Sequence, residues 1–114
     1  MAFVLKQSDT YTWPVTFDVP VDGGRHQRQS FDGEFRRLSQ SRIREIGQLI
    51  ESGDTTDAEI AGEVLTGWSG ITDDDGKDVP FSQGALERLL DVPMLATAIA
   101  TAYFGSLQGA KRKN

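Results

Sequence analysis

Along residues 11–21 apolar and polar positions alternate: Tyr11, Trp13, Val15, Phe17, Val19 and Val21 are odd, while Thr12, Pro14, Thr16, Asp18 and Pro20 are even. A period of two predicts a strand with one buried face. Proline cannot donate to a ladder, so Pro14 and Pro20 put at least one side of this strand at a sheet edge. Asp22-Gly23-Gly24 tolerates positive φ and predicts a hairpin turn. The partner strand falls within residues 26–38, where Phe31, Gly33 and Phe35 share a face, and Asp32-Gly33 reads equally as a bulge or a second turn. A lone hairpin is marginal in water, so its apolar face needs cover from downstream helices, and residues 3–5 are a candidate third strand.

The period then changes. Ser39 or Ser41 caps a helix that carries Ile43, Ile46 and Ile50 on one face, Leu49 on its margin, and ends at Gly53. Thr56-x-x-Glu59 is a capping box for a second helix, which turns Ile60, Ala61, Val64 and Leu65 inward before Gly67 stops it. Ser82 caps a third, with Phe81 placed to staple onto Leu86 and with Ala85, Leu86, Leu89 and Leu90 inward. Pro93 suits the first turn of a fourth, expected to run to about Gln108. On its wheel Leu95, Ala98, Ile99, Ala102 and Tyr103 cluster, and Phe104 points nearly opposite Leu95. A helix without charge and with an aromatic on its back is either enclosed by its own protein or lies against another. These elements predict an α+β fold: an N-terminal β-hairpin of two or three strands packed against four α-helices. The whole forms one domain, β-rich over 1–38, helical over 39–108, with a flexible basic tail over 109–114.

The 114 residues suffice for one core without staples, and the absence of Cys excludes disulfides and thiolate chemistry. Residues 1–9 lack the basic start and sustained apolar run of a signal peptide, and the longest uncharged stretch, 92–110, is too interrupted to read as transmembrane. The net charge of −5 is uneven. Residues 46–91 hold eleven acids against Lys77 and Arg88, whereas the first 45 residues are nearly balanced and the chain closes on Lys111, Arg112 and Lys113. An acidic middle repels phosphate backbones, which argues against nucleic-acid binding and leaves the basic end as a solvated tail. An acidic nucleic-acid mimic would need its carboxylates in a stripe, and the periodic apolar residues between them argue against one.

Residues 67–93 are the most specific text in the chain. Asp73-Asp74-Asp75-Gly76 invites a calcium-loop reading, but with Gly76 as the turn glycine the first ligand position falls on Ile71 and the bidentate acid position on Ser82. The cluster therefore reads as an exposed acidic turn reversed by its Asp-Gly pair. The one imidazole, His26, follows a Gly-Gly turn among Arg and Gln and reads as an exposed loop residue. No zinc spacing, phosphate-binding glycine loop or carboxylate in an apolar pocket is present, so no enzyme, metal or cofactor is expected. Trp68 is either a core anchor between helices or a partner hot spot. The side chains put forward for partner contact are Trp68, Phe81, Met94, Tyr103, Phe104 and Leu107.

A set of short motifs runs from about Val15 to the end. Val19-Pro20-Val21 precedes the Gly turn, followed by Phe31-x-x-x-Phe35-x-x-Leu38, then Gly67-Trp68-x-Gly70-Ile71 with its acidic Gly turn, then Val79-Pro80-Phe81-Ser82. A short leucine helix, Pro93, an alanine-rich helix with Ala102-Tyr103, and a Gly-Ala ending before Lys113-Asn114 complete it. In this order the chain resembles the tail assembly chaperones of long-tailed bacteriophages and prophages. The motifs are short and degenerate, and none is a catalytic signature. The resemblance implies a non-enzymatic protein of the host bacterial cytoplasm, absent from the mature virion, that binds the tape measure protein and recruits tail tube protein during tail morphogenesis. It leaves homo-oligomer formation open and includes neither nucleic acid nor membrane as a partner. It also implies a longer product made by frameshifting near the end of the short form, which Arg112-Lys113-Asn114 suits if encoded by a run of adenines. The alternative is a small structural tail or head-tail connector protein of the virion.

Overall fold

The structure is a computed structural model and describes residues 1–109. The expected basic tail lies outside the described residues from Ala110 onward. In chain order the elements are β1 (Thr10–Val21), β2 (Arg25–Arg36), α1 (Gln40–Ser52), α2 (Asp57–Val64), β3 (Leu65–Ser69), α3 (Gln83–Leu90) and α4 (Leu95–Ser106). The three strands form one antiparallel sheet in the order β1-β2-β3, and helices cover one of its faces. This is the expected α+β class.

The β1-β2 ladder runs unbroken from Thr10 opposite Arg36 to Val21 opposite Arg25. Asp22, Gly23 and Gly24 make its turn, both glycines at positive φ. Asp32-Gly33 is neither a bulge against β1 nor a turn: it continues the strand. Gly33 permits a close approach: a Cβ there would lie 3.0 Å from Leu65 Cδ1 and 3.4 Å from Val15 Cγ2, and those side chains would have to shift to admit it. The inward face holds Val15, Phe31 and Phe35, all buried, but residues 25–30 are exposed, so the distal hairpin projects past the core. His26 therefore sits in a strand opposite Pro20 and not in a loop. Trp13 and Val21, expected on the buried face, remain 39% and 38% exposed.

The third strand is β3, not residues 3–5. Phe3, Val4 and Leu5 lie outside any strand and are exposed. β3 pairs with β2 from Asp32 opposite Ser69 to Phe35 opposite Leu65, with a register shift between Glu34 and Phe35. Consequently α2 ends at Val64, Leu65 reaches the core from a strand, and Gly67 is a strand residue. The expected partition into a β part over 1–38 and a helical part over 39–108 fails at this strand. β2 had an open edge free of proline, and the segment after α2 took it.

Local capping follows the sequence closely. Ser39 accepts from Arg42 N, Gly53 ends α1 in the left-handed region, and Thr56 with Glu59 completes the capping box of α2. On α1 only Ile46 is buried, and Ile50 is half exposed. Pro93 falls in the turn before α4, whose cap position is Met94. The main core joins Val15, Phe31, Phe35, Ala61, Val64, Leu65, Leu86, Leu95, Ile99 and Tyr103; Ile46, Ile60 and Ala100 form a smaller cluster beside it.

Arg42 of α1 grips Glu63 of α2 through two hydrogen bonds of 2.9 Å. A forked guanidinium on a carboxylate fixes the relative position of two helices more firmly than a single contact. That hydrogen-bonded pairing holds the Glu63 carboxyl below its ordinary value of 4.5. A depressed carboxyl stabilises the fold above the ordinary value, and this contribution is lost as pH falls through the lowered one. Urea midpoints measured from pH 7 to pH 3 should fall less for Glu63→Gln than for the native chain, and at neutral pH the substitution should cost about 1 kcal/mol. Parallel pH profiles would contradict the assignment.

Candidate partner-binding surface

α4 is anchored by Tyr103. Its ring is fully buried against Phe35 at 5.2 Å between centroids, and its hydroxyl donates to Arg36 O at 2.9 Å and accepts from Leu38 N at 3.2 Å. Burial pushes the phenol pKa up. Ser106 Oγ donates to Tyr103 O, so the 2.6 Å contact between Tyr11 and Ser106 is made by the Tyr11 hydroxyl as donor. Tyr103 therefore has no exposed surface with which to meet a partner.

Phe104 is half-buried and packs against both core clusters, so the back of α4 is covered in part by the protein itself. Trp68 and Phe81 are brought together, edge to face at 4.9 Å, and Trp68 Nε1 donates to Val79 O at 2.7 Å. Both are half-buried, and they hold the segment after β3 onto the sheet. In that segment Asp73 accepts from Asp75 N and Lys77 N, Gly76 N donates to Asp73 O, and Thr72 bridges Asp78. The acidic cluster is thus an exposed turn; carboxylate oxygens of Asp73, Asp74 and Asp75 lie within 4.8 Å of one another, but Asp73 is already engaged by the backbone.

Met94 and Leu107 are exposed, at 66% and 43%. They sit at opposite ends of α4, separated by twelve residues or roughly 18 Å of helix, and do not form one patch. Met94 instead joins residues that the sequence did not single out. A groove of about 550 Å³ runs between β1 and α4, with Trp13, Pro14 and Phe17 on one wall and Thr97, Thr101 and Gly105 on the other. A recess of about 480 Å³ adjoins it under the projecting hairpin, lined by Val19, Phe31, Ile71, Leu89 and Val92 among others. Phe17, Asp18 and Met94 line both. Trp68 and Phe81 line neither. The signal that could have found this surface was the pair Pro14 and Pro20: an edge strand leaves a flank of its sheet open, and the uncharged α4 lies along it.

Among the described residues no ionisable group lines either depression except Asp18 at the shared rim, where Arg28 bridges it at 3.3 Å. Such a surface can bind apolar side chains. Among the described residues no single helix is long and apolar enough to cross a membrane. α3 and α4 taken together are as apolar as a span, but they meet at 102° and bury Leu86, Leu95, Ile99 and Tyr103 in their own core.

Comparisons with protein-family models, with curated proteins and with solved structures give no match to this chain.

Met94 is the one non-glycine residue at positive φ among those described, at 73°. That conformation costs a side-chain-bearing residue about 1–2 kcal/mol, and glycine avoids the cost while losing more chain entropy on folding. Because Met94 is mostly exposed, little packing is lost with it. Met94→Gly should leave stability unchanged or raise it by up to about 1 kcal/mol in urea denaturation. A loss above about 1 kcal/mol would make Met94 a packing residue and remove it from the binding surface.

Proposed function

We propose that this protein is a non-enzymatic phage tail assembly chaperone, which holds apolar segments of the tape measure protein in the groove between β1 and α4 and helps recruit tail tube protein. The observation that supports this most directly is the groove itself. It is apolar and open, its helical wall carries no charge, and exposed Met94 stands at its end. Methionine adapts to varied apolar surfaces, which suits a client with many similar segments. The rim is small and mostly uncharged, so binding there is modest and reversible, as a protein that must release its client requires. The motif resemblance supplies the identity of the client, and the host cytoplasm as the place of action follows from it.

Phe104 is a poor probe of this role, because it packs against both clusters and Phe104→Asp would damage the fold. Exposed groove positions are better. Co-expressed with the tape measure protein of the same genome, the native chain should keep that protein soluble. Met94→Asp and Thr101→Glu should weaken the complex about tenfold each, or ~1.4 kcal/mol, with an unchanged circular dichroism spectrum. Equal tape measure solubility with and without the protein would refute the reading, and stoichiometric presence of the protein in purified particles would favour a structural tail or connector subunit instead.

A further inference from the structure

The chain carries two apolar features that do not meet each other. Residues 1–5, Met-Ala-Phe-Val-Leu, hold Phe3, Val4 and Leu5 at 76%, 68% and 88% exposure in an irregular segment ahead of β1. The recess under the hairpin, with Phe17, Val19, Ile71, Leu89, Val92 and Met94, stands open. Exposed apolar runs of this kind are unfavourable in water unless something covers them.

Running back along the outer edge of β1, the segment falls short of the recess of its own chain. Asp9 O accepts from Arg37 N, so the β1-β2 ladder continues through Asp9 and carries the chain past the end of the sheet. To return along the outer edge of β1 it must reverse within residues 6–9. In antiparallel register the tightest such reversal sets Leu5 beside Thr10, Phe3 beside Thr12 and Met1 beside Pro14. The recess begins at Phe17 and extends to Pro20 on β1, beyond that reach. A second molecule has no such limit. Its charge pattern also fits: three large apolar residues precede Lys6, and among the described residues Asp18 is the only charged one lining the recess, about half exposed despite its bridge to Arg28. Pro14 and Pro20 leave gaps in any backbone pairing along β1, so the contact is made through side chains in the recess and not by adding a strand.

We propose that residues 1–5 of one copy seat in the hairpin recess of a second copy, with Lys6 facing Asp18, so that the protein self-associates by exchanging these segments. The inference concerns the chain alone and does not depend on the client proposed above.

Because the chain has no Cys, introduced cysteines report cleanly on the contact. Sedimentation velocity of the full chain, with no residues added before Met1, should show association that strengthens with concentration. Phe3→Asp and Val92→Asp should each raise the dissociation constant about tenfold or more while leaving the circular dichroism spectrum unchanged. Mixing Val4→Cys with Met94→Cys chains under mild oxidation should yield a covalent dimer containing one of each. A monomer at all concentrations would overturn the proposal, as would association insensitive to Phe3→Asp. So would an intramolecular disulfide in the monomer of the Val4→Cys, Met94→Cys double variant, which would place the segment in its own recess.

Discussion

The buried hydroxyl of Tyr103 ties the helical layer to the end of the sheet. Tyr103 comes from the last turn of α4 and reaches the point where the chain leaves β2 for α1, taking Arg36 O and Leu38 N at once. Those two backbone groups lie beyond the last β2-β3 pair, Phe35 opposite Leu65, where β3 no longer supplies partners, and a buried polar group left unpaired costs about 1–3 kcal/mol. The ring that carries the hydroxyl fills the space between Phe35, Tyr11 and Phe104. Because the phenol is held at both ends, α4 has one position along the sheet. The groove between β1 and α4 inherits its width from that position.

The second constraint is the contrast between the two edges of the sheet. β1 carries Pro14 and Pro20 and is interrupted as a template; the far side of β2 carries no proline and accepts β3. The fold spends its spare strand on the edge that can be paired. The other edge is left to side chains, with Trp13 and Phe17 facing the small residues of α4. An open apolar flank beside a proline-broken edge can receive a partner without offering a template for sheet-to-sheet aggregation.

The hairpin and its turn, the caps of α1, α2 and α3, the acidic turn and the inward faces of α2 and α4 were all legible in the sequence, because each depends on residues within a few positions of one another. Ser39, Thr56 with Glu59, and Ser82 act through amides three residues away. The candidate site was legible only at Met94. Tyr103 carried the right character, an aromatic on an uncharged helix, but the depth of its burial depends on Arg36 and Leu38, more than sixty residues earlier. Trp13 read as buried because alternation names a face of a strand without saying how far the opposing layer extends.

What the sequence by itself determined is thus the local grammar: α+β class, a long amino-terminal hairpin and four helices. Only the tertiary structure decided that Leu65–Ser69 is a strand, that Phe104 bridges two clusters, and that the open surface lies between β1 and α4. The physical reason is the same in each case. Leu65–Ser69 has a pattern too short to distinguish a helix end from a strand, and the choice was made by the vacant edge of β2. Likewise an exposed flank is defined by which layer stops short of it, a property of packing between distant segments that no window along the chain contains.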